Sequence, residues 1–323
     1  MNRIVWIVAI ALIPALFAVE LLLGSVSLTF SEVLSALSND EQSLHHLIVV
    51  KSRLPRSITA MAGGGGLALC GLLMQTYFHN PLAGPSVLGV TSGASLGVAA
   101  VLLAGATGAV LPAAALGSLL VLLMIMLVAD RLKSQVSLLI FGLMIGYLTS
   151  SVVTILQQGA SKEALRSFVF WGMGSFADLN NGEATLLLTM TGLAALVAFA
   201  LHRQLDVWTL GNDVAATMGV SRRRFTWQVL LITGLVAGAI TAYCGPVAFL
   251  GLAVPHLARG IWQRGNHATL IPAVVLSGMA IGLACDLVSR APGADSGFPL
   301  NAITSLVGAP VVIFVILKGR RVF

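Results

Sequence analysis

Apolar runs about twenty residues long, separated by short polar breaks, dominate the chain. A helix needs about 20 apolar residues to cross a bilayer, and the pattern yields ten candidates. They are Ile4–Leu23, Arg56–Phe78, Val87–Ala104, Ala109–Ala129, Val136–Gln157, Ala184–Leu201, Phe225–Tyr243, Val247–Ile261, Leu270–Val288 and Ala302–Leu317. The second is dotted with glycine (Gly63–Gly66, Gly71), as expected of a helix crowded on all sides. The eighth is short and carries Pro255.

The polar breaks have patterns of their own. Ser25–Ser52 predicts a short surface helix from Ser31. His79–Pro85 holds the turn residues of a helix break. Ser161–Asn181 is amphipathic and aromatic, with Phe168, Phe170, Trp171 and Phe176, and suits a membrane interface. His202–Arg224 is too regular for a simple connector. Asn212 reads as an N-cap and Gly219 as the glycine that ends a short helix. Between them Leu210, Val214 and Met218 recur every four residues and give one apolar face. That face either rests on lipid headgroups or docks a cytoplasmic partner.

Composition agrees with the pattern. Of 323 residues 57% are hydrophobic and 9% charged, against roughly 25% charged in soluble domains. The expected fold is a single domain, 1–323, an all-α polytopic membrane protein of ten transmembrane helices. The net charge of +6 does not point to nucleic acid, because the cations sit at span ends. With the N-terminus inside, twelve of the 18 Lys and Arg residues fall on the cytoplasmic face and six outside. The inner set is Arg3, Arg131, Lys133, Arg203, Arg222, Arg223, Arg224, Arg259, Arg264, Lys318, Arg320 and Arg321. This bias places both termini in the cytoplasm. Among the outer cations, Arg53, Arg56 and Arg290 flank the second and ninth spans. They either snorkel to headgroups or form a patch for an acidic external partner. Basic residues precede a glycine-dotted span twice, at Arg53–Gly71 and Arg222–Gly238, five spans apart. That spacing suggests an inverted internal repeat. Arg3 before an apolar run resembles a secretion signal, but Glu20 and the lack of a small-residue cleavage site favour a retained span.

Catalytic signatures are missing. The sequence has no G-x-x-x-x-G-K-[ST] phosphate loop, no H-E-x-x-H and no nucleophile elbow. Cys70, Cys244 and Cys285 lack metal-ligand spacing and read as small apolar residues. His256, after Pro255, reads as a hydrogen-bonding residue at a helix break rather than a ligand. Glu20 and Asp286 lie near the outer ends of apolar spans, where access to water is the simpler account. No catalytic, metal or cofactor site is expected.

Five motifs in order carry a family resemblance. They are Arg53-Leu54-Pro55-Arg56; Asn80-Pro81-Leu82-Ala83-x-Pro85-x-x-Leu88-Gly89-Val90-x-x-Gly93-Ala94; Leu210-Gly211 with Ala215-x-x-Met218-Gly219-Val220; Gly245-Pro246-Val247-x-Phe249-Leu250-Gly251-Leu252-x-x-Pro255-His256-x-x-Arg259; and Gly308-Ala309-Pro310. Together they resemble the FecCD family of permeases in bacterial ABC importers, which serve iron–siderophores, haem and vitamin B12. The resemblance implies an inner-membrane subunit paired with a second permease, identical or paralogous. A cytoplasmic ATPase dimer and an external substrate-binding protein would complete the importer. It implies ATPase coupling through Leu210, Gly211, Asn212, Val214, Ala215, Met218, Gly219, Val220 and Arg222. It implies binding-protein docking through Arg53, Arg56 and Arg290. The substrate path would be lined by the fifth and tenth spans, at Leu143, Tyr147, Ser150, Asn301, Thr304 and Gly308. An iron–siderophore is the first expectation for the cargo. Asn301 departs from the usual family glycine, and Gly84 from a common acidic residue. The rival is a secondary transporter working alone, which would need a membrane-buried coupling site.

Overall fold

The computed structural model describes residues 3–24, 26–38, 43–106, 108–132, 134–263, 265–290 and 297–318. Lys133, Arg264, Arg320 and Arg321, counted above as inner cations, lie outside these residues, as does the side chain of Lys318. The described secondary structure is helical throughout. It comprises α1 (Arg3–Leu22), α2 (Phe30–Ser38), α3 (Leu44–His46), α4 (Leu54–Tyr77), α5 (Val90–Leu102), α6 (Val110–Ala129), α7 (Gln135–Gln158) and α8 (Lys162–Gly172). Then follow α9 (Asn181–Ala200), α10 (His202–Trp208), α11 (Asn212–Thr217), α12 (Arg222–Cys244), α13 (Leu250–Trp262), α14 (His267–Ser289) and α15 (Leu300–Lys318). A π-helical segment, Leu47–Arg53, joins α3 to α4 without a break.

A helix stands at each of the ten expected spans. Among the described residues seven stretches are long and apolar enough to cross a membrane: α1, the continuous Leu44–Tyr77, α6, α7, α9, α12 and α14. α5 and α13 have 13 residues each, or about 20 Å at 1.5 Å per residue. Both begin later than the hydrophobic pattern predicts, at Val90 rather than Val87 and at Leu250 rather than Val247. The cause is local. Gly89 (φ 71°) and Phe249 (φ 65°) are left-handed, and neither helix can extend backwards through them.

α4 is the centre of the molecule. Of its apolar window 89% is buried, against 11% for α1. Glycine makes this burial feasible. A Cβ at Gly64 would lie 2.1 Å from the Gly278 carbonyl of α14, and one at Gly71 only 1.5 Å from that of Gly251 in α13. Backbones therefore touch on two sides of α4.

The packing pairs repeat. α4 packs on α14 and α12 packs on α6; α5 lies on α6 and α7, and α13 on α14 and α15; α13 also touches α4, as α5 touches α12. The set α4–α7 thus corresponds to α12–α15, with the same pairing of Gly-dotted α4 and α12 that the sequence suggests.

Candidate functional site

The His202–Arg224 stretch folds as two short helices. Gly211 (φ 108°) occupies the N-cap of α11, and Asn212 is the first helical residue rather than the cap. At the other end Gly219 (φ 85°) is left-handed. Val220 N donates to Ala215 O at 2.9 Å, and Gly219 N to Ala216 O at 3.1 Å. This pair of bonds is a Schellman end. Nothing lies within 4 Å of a Cβ built on either glycine, so backbone conformation, not space, requires glycine at both.

The apolar face is where the spacing put it. Leu210, Val214 and Met218 are 62%, 41% and 59% exposed, while Ala215 is buried. Behind that face the stretch is anchored. The Trp208 indole donates to Tyr77 O at 3.1 Å, and His79 Nε2 donates to Trp208 O at 2.8 Å. Trp208 stacks on Tyr77 and lies 4.5 Å from the Phe225 ring. Asp206 Oδ1 accepts from His267 N at 2.8 Å and pairs with His267 Nδ1 at 2.7 Å. Gln135 Nε2 donates to Tyr77 O at 2.7 Å. The sequence reading missed Tyr77, His79, Gln135, Asp206, Trp208 and His267. A tryptophan in a polar connector was the available signal, since such a residue needs burial from elsewhere in the fold.

Beside α11, Arg222 Nη2 donates to Leu132 O at 3.3 Å. Arg223 grips the Asp130 carboxylate at 2.8 Å, and the Trp227 indole donates to the same group at 2.9 Å. The Trp227 and Arg223 hydrogen bonds hold the Asp130 carboxyl below the usual carboxylate range. Ala129, Asp130, Leu132, Arg222, Arg223 and Thr226 line a cavity of about 380 Å³ where the end of α6 meets the start of α12.

The three outer arginines form a different kind of site from the free patch expected of them. Arg53 is only 4% exposed. Its Nη1 donates to Leu21 O at 2.7 Å and Leu22 O at 2.9 Å, and its Nη2 to Val26 O. The guanidinium closes the C-terminal end of α1, whose last carbonyls lack helical partners. Arg56 Nε lies 2.8 Å from Asp286, and its Nη2 donates to Ser289 Oγ at 3.1 Å. Arg290 Nη2 stands 2.9 Å from both Glu20 and Asp286. The contact with Glu20 is close but out of hydrogen-bond alignment, so its attraction is chiefly Coulombic. Glu20 and Asp286 are 0% and 1% exposed. Access to water is therefore not what keeps these carboxylates near the span ends; arginine pairing is. What still faces outward is a fifth of the Arg56 side chain and an eighth of Arg290, at 21% and 12%.

The expected path residues divide. Leu143 and Tyr147 are exposed at 40% and 67%, and Ser150 shares their open face of α7. Thr304 and Gly308, by contrast, turn into the molecule. Thr304 is 1% exposed, with its hydroxyl on Asn301 O at 3.2 Å. A Cβ at Gly308 would lie 2.4 Å from Phe249 Cβ, because α15 is pressed against the start of α13. The open face of α15 carries Leu306, Val307, Ile313 and Phe314 instead. Nor does Asn301 hang free at a gate. Its Oδ1 accepts from Ala248 N at 3.1 Å, and its N–H donates to Met173 O at 3.0 Å. It fastens α15 to the Gly245–Phe249 connector and to the end of α8. His256 Nε2 donates to Pro81 O at 2.8 Å, which ties α13 to the 79–85 loop.

Bundled apolar helices, a central glycine-packed helix and an outward apolar helix on a rigid mount define a multi-pass transport permease. Comparison with known proteins is specific. The profile of the FecCD transport family matches residues 11–318, and the chain belongs to this family. It is 32% identical over 283 residues to the vitamin B12 import system permease protein BtuC of Citrobacter koseri, covering 85% of this chain and 84% of that one. The corresponding Escherichia coli protein is 31% identical over 281 residues, 85% of each chain. A solved structure of an inward-facing metal-chelate type ABC transporter superposes with a TM-score of 0.86 at 29% identity, covering 96% of this chain and 97% of the other. A PsaBC chain from Streptococcus pneumoniae, at TM-score 0.57 and 14% identity, shares the fold alone. The chain is accordingly a multi-pass protein of the bacterial cytoplasmic membrane.

Proposed function

We propose that this chain is the membrane-spanning half of an ABC importer that carries a bulky metal chelate into the cytoplasm. The observation that carries the reading is the α11 mount. An apolar helix face is held outward by buried hydrogen bonds to the ends of α4 and α14. Such a face suits a hydrophobic groove on an ATPase subunit, in the manner of helix-in-groove recognition. In this reading ten helices cross the bilayer with both termini inside, and α12–α15 repeats α4–α7 in inverted orientation. The partners are an ATPase dimer, a second permease copy or paralogue packed along the open faces of α7 and α15, and an external binding protein. That protein engages the outward edges of Arg56 and Arg290. No resident cofactor is invoked.

ATP binding would draw the ATPase subunits together and move each α11 as a lever. The two-state bundle then opens its central path to one side at a time. α7 contains no Asp, Glu, Lys or Arg, so the path wall it offers is weakly interacting, as passage of a polar chelate requires. ATP hydrolysis belongs to the separate subunit.

An iron–siderophore is the first reading of the cargo. Vitamin B12, itself a cobalt chelate, is the second, and the names of the relatives favour it. The test is uptake into proteoliposomes holding the chain, its ATPase and its binding protein, with a ferric siderophore and cyanocobalamin as separate probes. ATP-dependent uptake of one probe, lost in Met218→Asp together with ATPase co-purification, supports the reading. Uptake without ATP, or a Met218→Asp chain that behaves as native, overturns it.

A further inference from the structure

The last carbonyl of α4 collects two side chains from elements that the proposed mechanism requires to move. Tyr77 O accepts the Trp208 indole, which roots the α10–α11 mount, and the Gln135 amide, from the first residue of α7. Tyr77 itself is fixed: it is 2% exposed, and its hydroxyl meets Thr226 Oγ1 at 3.1 Å. The Gln135 Nε2 group has a second hydrogen to give, and Asn212 Oδ1 stands 3.5 Å from it. Asn212 is the first residue of α11.

The main packing partners of these two helices differ. α11 packs on α10 and α12, whereas α7 packs on α5, α6 and the Pro85–Leu88 turn. Among the described residues, Gln135 to Asn212 is the side-chain hydrogen bond that joins α11 to α7. One hydrogen of the amide nitrogen is anchored at 2.7 Å to a rigid carbonyl, and the other reaches at the limit of bonding toward the lever. Displacing α11 toward α7 shortens the second bond, and displacing it away breaks it. Ser134, at the N-cap of α7, makes no side-chain cap bond, which leaves Gln135 to position that helix end. We propose that Gln135 is the positioning residue through which movement of α11 reaches the path helix α7. The inference rests on the permease reading above and adds the residue that couples hydrolysis to transport.

The experiment compares Gln135→Ala, Gln135→Glu and Gln135→Lys with the native chain in the complete reconstituted importer. ATP hydrolysis and uptake of cyanocobalamin or a ferric siderophore are measured on the same liposomes. Glutamate keeps the shape but loses the donor; lysine keeps a donor. The alanine and glutamate chains are expected to hydrolyse ATP within about twofold of native while uptake falls about tenfold, inside the roughly 5–150-fold range of coupling between sites. The lysine chain retains most uptake. A purely structural role moves hydrolysis, ATPase co-purification and uptake together, and that outcome overturns the proposal, as does native uptake in Gln135→Glu. A native chain whose uptake ignores ATP fails on different ground, because it removes the permease reading before any variant is compared.

Discussion

The α11 mount and the outer arginine cluster look alike in the sequence. Each is a set of side chains of one type beside a span, and each reads as a docking surface. The structure separates them. On α11 the side chains point away from the protein and the buried hydrogen bonds lie behind them. In the cluster the guanidiniums point inward: Arg53 bonds the carbonyl end of α1, Arg56 bonds Asp286, and Arg290 lies against Glu20 and Asp286. An apolar face left open is available to a partner. Charges already paired internally can offer only their edges, and any external carboxylate must compete with an internal one. A partner surface is thus defined by what the fold leaves unsatisfied, not by residue type.

The sharpest way to break this contrast is to remove the acid on which two arginines converge. Asp286→Ala leaves Arg56 and Arg290 without their shared carboxylate, and breaking a buried ionic group from one side costs about 3–5 kcal/mol. The thermal midpoint in detergent should fall well below native. Replacing Arg56 by Met in the same chain should recover a large part, because its uncompensated charge goes with it while Arg290 keeps Glu20. A midpoint unmoved by Asp286→Ala would mean that the cluster is solvated and free to dock.

Arg53 comes next. Two of its three carbonyl bonds cap α1 and the third holds Val26 beyond it, and hydrogen bonds to a charged group are worth about 1.5–3 kcal/mol. Arg53→Ala should destabilise by about 3 kcal/mol without weakening binding-protein affinity. Lysine should not rescue it, because a single ammonium cannot reproduce the planar fork. Loss of affinity at unchanged thermal midpoint would return Arg53 to the docking patch.

Met218→Asp should do the reverse. The residue is 59% exposed, so stability should stay within ~0.5 kcal/mol of native. ATPase association should weaken about 30-fold, the equivalent of ~2 kcal/mol at an interface centre. Co-purification and a thermal scan on one sample read both.

How much of this was legible in the chain follows from the range of the interactions. Periodicity along one helix is local, and it placed the ten helices and the open face of Leu210, Val214 and Met218. The short starts of α5 and α13 depend on single left-handed residues. Gly89 could have been suspected, but Phe249 (φ 65°) could not, because a phenylalanine takes that conformation only when its surroundings impose it. The partners of Arg53, Arg56 and Arg290 lie 27 to 270 residues away from them in most cases, and no local pattern encodes which carboxylate a guanidinium meets. The same holds for Thr304 and Gly308. Their spacing is right for a path, but the crossing of α15 over Phe249 decides which face is turned inward.

The smallest effect belongs to the junction between the two kinds of site. Asp130 is charged like the cluster but lies at the surface beside α11, bonded by Trp227 and Arg223. Because its carboxyl is held below the ordinary carboxylate range, the folded state binds a proton there less readily than the unfolded chain does. The stabilisation is therefore fully present above the ordinary aspartate pKa and disappears as pH falls through the depressed one. The Arg223 side chain is 76% exposed, so salt screens its share of the bond. The native chain should exceed Asp130→Asn slightly in thermal midpoint at neutral pH, and the difference should shrink both on acidification and in high salt. A difference that survives acid would show that charge is not its source, because protonated aspartate and asparagine are both neutral and an oxygen of either can accept from Trp227.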